Sequence, residues 1–89
     1  MLRPAVSSRF KRDVKRQRKR GSDLSKLKDV IDLLLSGSAL PPSFMDHPLS
    51  GEWNEYRDLH IEPDRLLLYR IDGDTLKLAR TGTHDDIFG

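Results

Sequence analysis

The stretch Arg65-Leu-Leu-Leu-Tyr-Arg-Ile-Asp-Gly-Asp-Thr-Leu-Lys-Leu-Ala-Arg-Thr81 decides the fold. Leu66 to Ile71 is a near-continuous apolar run, which reads as a central strand. Asp72-Gly73-Asp74 is a hairpin turn. Thr75 to Thr81 then forms the next strand, with Leu76 and Leu78 on one side. Upstream, from Trp53, the period is also two. Tyr56, Asp58, His60 and Glu62 alternate with Arg57, Leu59 and Ile61, and Pro63-Asp64 supplies a turn. The three segments make an antiparallel meander.

Further upstream the period becomes helical. Leu24, Leu27, Ile31, Leu34 and Leu35 share one face, with Val30 on its border. Ser22 is the expected cap, Asp23 suits the first turn, and Ser36-Gly37 ends the helix. Pro41-Pro42 starts a loop that runs to about Gly51. Near the N-terminus, Val6, Phe10 and Val14 recur at i, i+4, i+8, a thin helical stripe. Ser7 or Ser8 can cap that helix and Gly21 can end it. Pro4 restricts any strand at residues 2–5 to an edge. The expectation is an α+β fold in one domain, residues 1–89. A short N-terminal strand joins the meander in a small antiparallel sheet, and two N-terminal helices cover one face because nothing else can bury it. The other face is left for function.

Eighty-nine residues suffice for one core and leave no room for a second catalytic domain. The absence of cysteine excludes disulfides, thiolate catalysis and cysteine zinc sites. No apolar run approaches the roughly 18 residues of a membrane span. The net charge of +2 conceals an asymmetry. Residues 1–20 hold nine of the 16 Lys/Arg and one acid, Asp13, for a net +8; residues 21–89 hold the other seven and 13 acids, for a net −6. A basic arm thus precedes an acidic body. By composition the arm has four readings: a transit peptide, a nuclear signal over Lys15 to Arg20, a solvated helix face, or a nucleic-acid surface carried by Lys11, Arg12, Lys15, Arg16, Arg18, Lys19 and Arg20.

The candidate chemistry lies in three histidines, His47, His60 and His84, each in an Asp-containing segment. On a strand, Asp58 and His60 share a face, and the fold can bring the other two alongside. No short-spaced His pair of the zinc type is present, no nucleophile elbow surrounds a serine, and no glycine-rich phosphate loop occurs. Acid–base chemistry without a metal or cofactor remains, since imidazole titrates near neutrality. RNA supplies its own nucleophile, the 2′-hydroxyl, and requires a base, an acid for the 5′-oxygen and cations for the phosphorane. Trp53, Tyr56 and Phe88 can stack on bases or pack in the core.

Four blocks then resemble a known family. They are Asp46-His47-Pro48-Leu49-x-Gly51-x-Trp53, Tyr56-Arg57-Asp58-x-His60-Ile61-Glu62-Pro63-Asp64, Leu67-Leu68-Tyr69-Arg70, and Arg80-Thr81-Gly82-Thr83-His84-x-x-x-Phe88-Gly89. They are similar to the YafQ branch of the RelE toxins, the toxic halves of bacterial type II toxin–antitoxin pairs. In the first 20 residues only the basic character and the Phe-Lys-x-Asp-Val-Lys stretch support it. The resemblance implies a cytoplasmic, metal-independent endoribonuclease that cuts mRNA in the ribosomal A site. It implies a cognate antitoxin, and operator DNA bound only through the antitoxin complex. It places the arm where the family has its first strand and helix, against the transit-peptide reading. Family active-site positions map onto His47, Asp58, His60, Asp64, His84 and Phe88.

On that basis His84 is the expected general acid, and His60 or Asp64 the base, directly or by orienting its partner. His47 is expected on the scissile phosphate and Phe88 against an mRNA base. Arg57 or Arg80 would add phosphate contacts, or pair structurally with acids. The rival readings are a non-catalytic nucleic-acid-binding module and a toxin surviving only as corepressor.

Overall fold

The computed structural model describes all residues, Met1–Gly89. The order is β1 (Arg3–Val6), α1 (Ser8–Lys19), α2 (Ser25–Ser36), β2 (His47–Pro48), β3 (Arg57–Glu62), β4 (Arg65–Asp72), β5 (Thr75–Gly82) and α3 (His84–Phe88). The strands form one sheet in the order β1-β5-β4-β3-β2.

The apolar run of β4 is buried because both its faces are covered. Leu67 and Tyr69 join Leu59, Ile61, Leu76 and Leu78 beneath Phe10 of α1 and Leu27, Val30 and Leu34 of α2. Leu66 and Leu68 point the other way, with Ala79, under Leu49, Trp53, Tyr56 and Ile87. The face expected to be free is therefore partly roofed by the 49–56 loop and α3. Trp53 and Tyr56 meet edge to face at 5.4 Å within this roof, so their role is packing.

β1 is an edge strand, as Pro4 requires. It runs parallel to β5, with Pro4 opposite Leu76 and Val6 opposite Leu78. The sheet is thus mixed, not purely antiparallel. Parallel pairing needs a long connection, and the helices with β2, β3 and β4 lie between the two strands. Residues 1–6 contain no turn that would tie their direction to a neighbour. Val6 belongs to this strand and is exposed, so the buried stripe of α1 is Phe10, Asp13 and Gln17 with Val14 beside it.

Ser7 caps α1, its Oγ accepting from the Phe10 N–H at 3.0 Å. Ser22 does not cap α2. That helix starts at Ser25, whose N–H donates to Asp23 Oδ1 at 2.9 Å, while the Ser22 N–H donates back to Gln17 at the end of α1. Between α2 and β3 the chain forms two 3-10 turns, Pro42–Phe44 and Gly51–Trp53, with the short strand β2 between them.

Candidate active site

Three segments remote in sequence meet on the sheet face away from α1 and α2. β2 pairs with the outer edge of β3 and sets His47 opposite Asp58. β3 alternates, so Leu59 and Ile61 enter the main core while Asp58 and His60 face the other way. His60 lies opposite Leu66, and Leu66 lies opposite Gly82, where the chain turns into α3 and its first residue, His84.

Asp58 is at the centre. It is buried, and its Oδ1 has no hydrogen-bond partner. His47 Nε2 is 3.6 Å from Asp58 Oδ2, and the His47 and His60 rings are 6.4 Å apart between centroids. Burial pushes the Asp58 carboxyl above the usual carboxylate range, while His47, His60 and His84 each pull it back. The His84 ring lies 4.9 Å from that of Phe88, one helical turn on, and Phe88 is exposed. Asp64 stands exposed in the β3–β4 turn, and no hydrogen bond or ion pair joins it to the histidines. The site thus gathers His47, Asp58, His60 and His84, with Phe88 on its rim and Asp64 apart. No group of three or more His, Asp and Glu side chains is arranged to hold a metal ion.

Near each of the two flanking histidines an acid is tied to the scaffold. Beside His47, Asp46 Oδ1 accepts from the Tyr69 hydroxyl at 2.9 Å and from Arg57 Nε at 3.0 Å. Burial, with the Asp46 bond second, pushes the Tyr69 hydroxyl up to about 12. Near His84, Asp86 takes both guanidinium nitrogens of Arg20 at 2.9 and 3.1 Å. Asp86 also completes a capping box with Thr83 at the start of α3. Gly82 leads into this box, with φ +152° and a site for Cβ only 3.0 Å from Asp86 Cβ and Oδ2.

Asp13, the lone acid of the arm, has a role that its composition hid. It is buried and accepts from Arg80 at 2.7 and 3.1 Å, from Arg16 at 2.6 Å and from the Thr81 N–H at 3.1 Å. Arg80 also donates to the Asp86 carbonyl at 3.2 Å. Arg57 and Arg80 are therefore structural partners of Asp46 and Asp13. Asp13 follows Phe10 by three on the buried stripe, which is the one sequence signal that marks it. Of the arm residues, Arg16 and Arg20 are taken up in these pairs. Lys11, Arg12, Lys15, Arg18 and Lys19 are exposed and have no carboxylate partner.

Residues 2–89 match the family model described as the bacterial toxin of type II toxin–antitoxin system, YafQ. The mRNA interferase toxin YafQ of Escherichia coli strain K12 is 44% identical over 84 residues, covering 93% of this chain and 91% of that protein. The crystal structure of YafQ from E. coli strain BL21(DE3) superposes with a TM-score of 0.94 at 40% identity over all of both chains. The toxin in the crystal structure of the E. coli DinJ–YafQ complex superposes at 0.91 with 41% identity, again over all of both chains. The chain belongs to the YafQ family: it is a toxin of the bacterial type II toxin–antitoxin kind and an endoribonuclease of the mRNA interferase class.

Proposed function

We propose that this toxin cuts mRNA in the A site of the translating ribosome by acid–base catalysis from its own histidines, with no metal in the reaction. One observation carries the reading: three imidazoles from β2, β3 and α3 converge on the buried carboxyl of Asp58. In the reaction the 2′-oxygen bonds to phosphorus as the P–O5′ bond breaks. A base takes the 2′-hydroxyl proton and an acid protonates O5′. His60 is the base, since it faces the site from a rigid strand while Asp64 stands bonded to none of the histidines. His84 is the acid, with Phe88 against it and available to an mRNA base. His47, with Nε2 3.6 Å from Asp58, donates to the scissile phosphate when that nitrogen is protonated.

The exposed cations of α1 grip ribosomal RNA, and a cognate antitoxin neutralises the toxin, as DinJ forms a complex with the E. coli relative. The setting is the cytoplasm, where translation occurs. No helix of the chain is long and apolar enough to cross a membrane. Expression of the chain beside His84→Ala, with growth and primer extension as readouts, tests the assignment. Arrest with discrete in-frame cuts is expected in wild type alone, and it should persist when transition metals are chelated with magnesium retained. Cleavage at the wild-type rate by His84→Ala would refute the role of His84.

A further inference from the structure

His47 reaches the site from a short edge strand. β2 is two residues long, and Pro48 has no N–H to give to the ladder. The loop before it ends at Met45, a non-glycine residue at φ 52°. A two-residue edge pairing does not immobilise such a loop. Leu49 fastens the far end, through its N–H to the Tyr56 carbonyl, and the near end is fastened from the opposite side of the sheet. Arg57 and Tyr69 are cross-strand partners whose side chains both reach Asp46, and Tyr69 lies in the helix-covered core. Asp46 is thereby anchored over that side. Strand alternation turns the next residue, His47, to the face of Asp58 and His60.

The anchor also bears on the ring itself. His47 Nδ1 is 2.7 Å from the Met45 carbonyl oxygen. A carbonyl only accepts, so Nδ1 carries the proton and neutral His47 has a bare Nε2, the nitrogen 3.6 Å from Asp58. We propose that Asp46 and Tyr69 are positioning residues for His47, holding it as the Nδ1–H tautomer with Nε2 turned into the site. The catalytic consequence rests on the function proposed above; the tautomer does not.

The experiment compares Asp46→Ala, Asp46→Asn and Tyr69→Phe with wild type, using the full chain. Two-bond proton–nitrogen spectra at pH 8 report the His47 tautomer, with His47→Ala assigning the signal. Cleavage by each variant is measured on mRNA in purified translating ribosomes. Wild type should show the Nδ1–H form, and Asp46→Ala should lose it. Its kcat should fall on the order of 100-fold with KM unchanged, the effect of a misplaced group in a bound complex. Asp46→Asn keeps an accepting oxygen and should restore most of both readouts. Tyr69→Phe removes one hydroxyl from a buried ring and should fall between them, which keeps the test open if Asp46→Ala unfolds.

An unchanged His47 signal in Asp46→Ala and Tyr69→Phe overturns the proposal. Wild-type kcat in those variants overturns it too, provided that His47→Ala is inactive. If His47→Ala is itself active, the role of His47 in cleavage falls instead, and the imidazole signal alone decides the positioning.

Discussion

Asp58 carries its charge in surroundings that oppose it, and two consequences follow at the level of the single residue. A carboxyl whose folded pKa is raised binds its proton more tightly in the folded state. Stability is therefore lost as pH rises from the unfolded value of 3.8 toward the folded one. At pH 8, where burial opposes the Asp58 charge, Asp58→Asn should raise the thermal midpoint and still impair cleavage. The gain should shrink on acidification toward pH 5, and melting curves at the two pH values check it. Asp13 is buried as well, and its charge is met by two guanidinium groups and an N–H. Asp13→Ala leaves Arg80 half-buried without its partner and should cost about 3–5 kcal/mol in urea unfolding. An aspartate's burial is a property of its neighbours. The strand period placed Asp58 and His60 on one face, whereas Asp13 carries only its spacing of three from Phe10, and its partners Arg80 and Thr81 are remote in sequence.

Among the elements, α3 is the least self-sufficient. It has five residues and stands on its capping box, the Arg20 pair and Ile87 against the second core cluster. Arg20's hydrogen bonds, with the Thr83 cap further behind, hold the Asp86 carboxyl down at about 2 against its burial. A depressed carboxyl lends stability above its unfolded pKa and loses it as pH falls through the folded one. Detachment of α3 is thus expected between pH 3.8 and about 2, read from the amide signals of residues 84–88. Gly82→Ala attacks the same joint at neutral pH, since its Cβ would meet Asp86 in a backbone conformation that L residues avoid. The variant should lose about 1–3 kcal/mol of stability and most of its cleavage. The meander and the second helix were legible because their periods run long. α3 was not, because a turn of helix fastened from 66 residues away has no pattern of its own.

The whole molecule divides its charge by place. The cations of α1 project outward while the body is acidic. Lys11, Lys15 and Lys19 follow one another at i, i+4, i+8 along an exposed face, with no carboxylate partner. Their reversal to Glu should weaken ribosome binding for every mRNA alike. It should also flatten the salt dependence by on the order of 0.7 in the log–log slope for each phosphate that is no longer neutralised. Titration of ribosome binding against potassium concentration measures both. Arg16 and Arg20 are left out of that set because their reversal would break the pairs with Asp13 and Asp86. By itself the sequence determined the two helices, the meander, the central place of β4, the edge place of β1 and the histidines and acids from which a site could be built. These are read from periods and blockers, which act through the local backbone. Only the tertiary structure decided that β1 runs parallel to β5, that α3 and the 49–56 loop roof the second face, and that Arg57, Arg80, Arg16 and Arg20 hold the scaffold. Each of these depends on which distant residue occupies the neighbouring position. The interaction energy between such partners is set by distance in space, which the order of residues along the chain does not record.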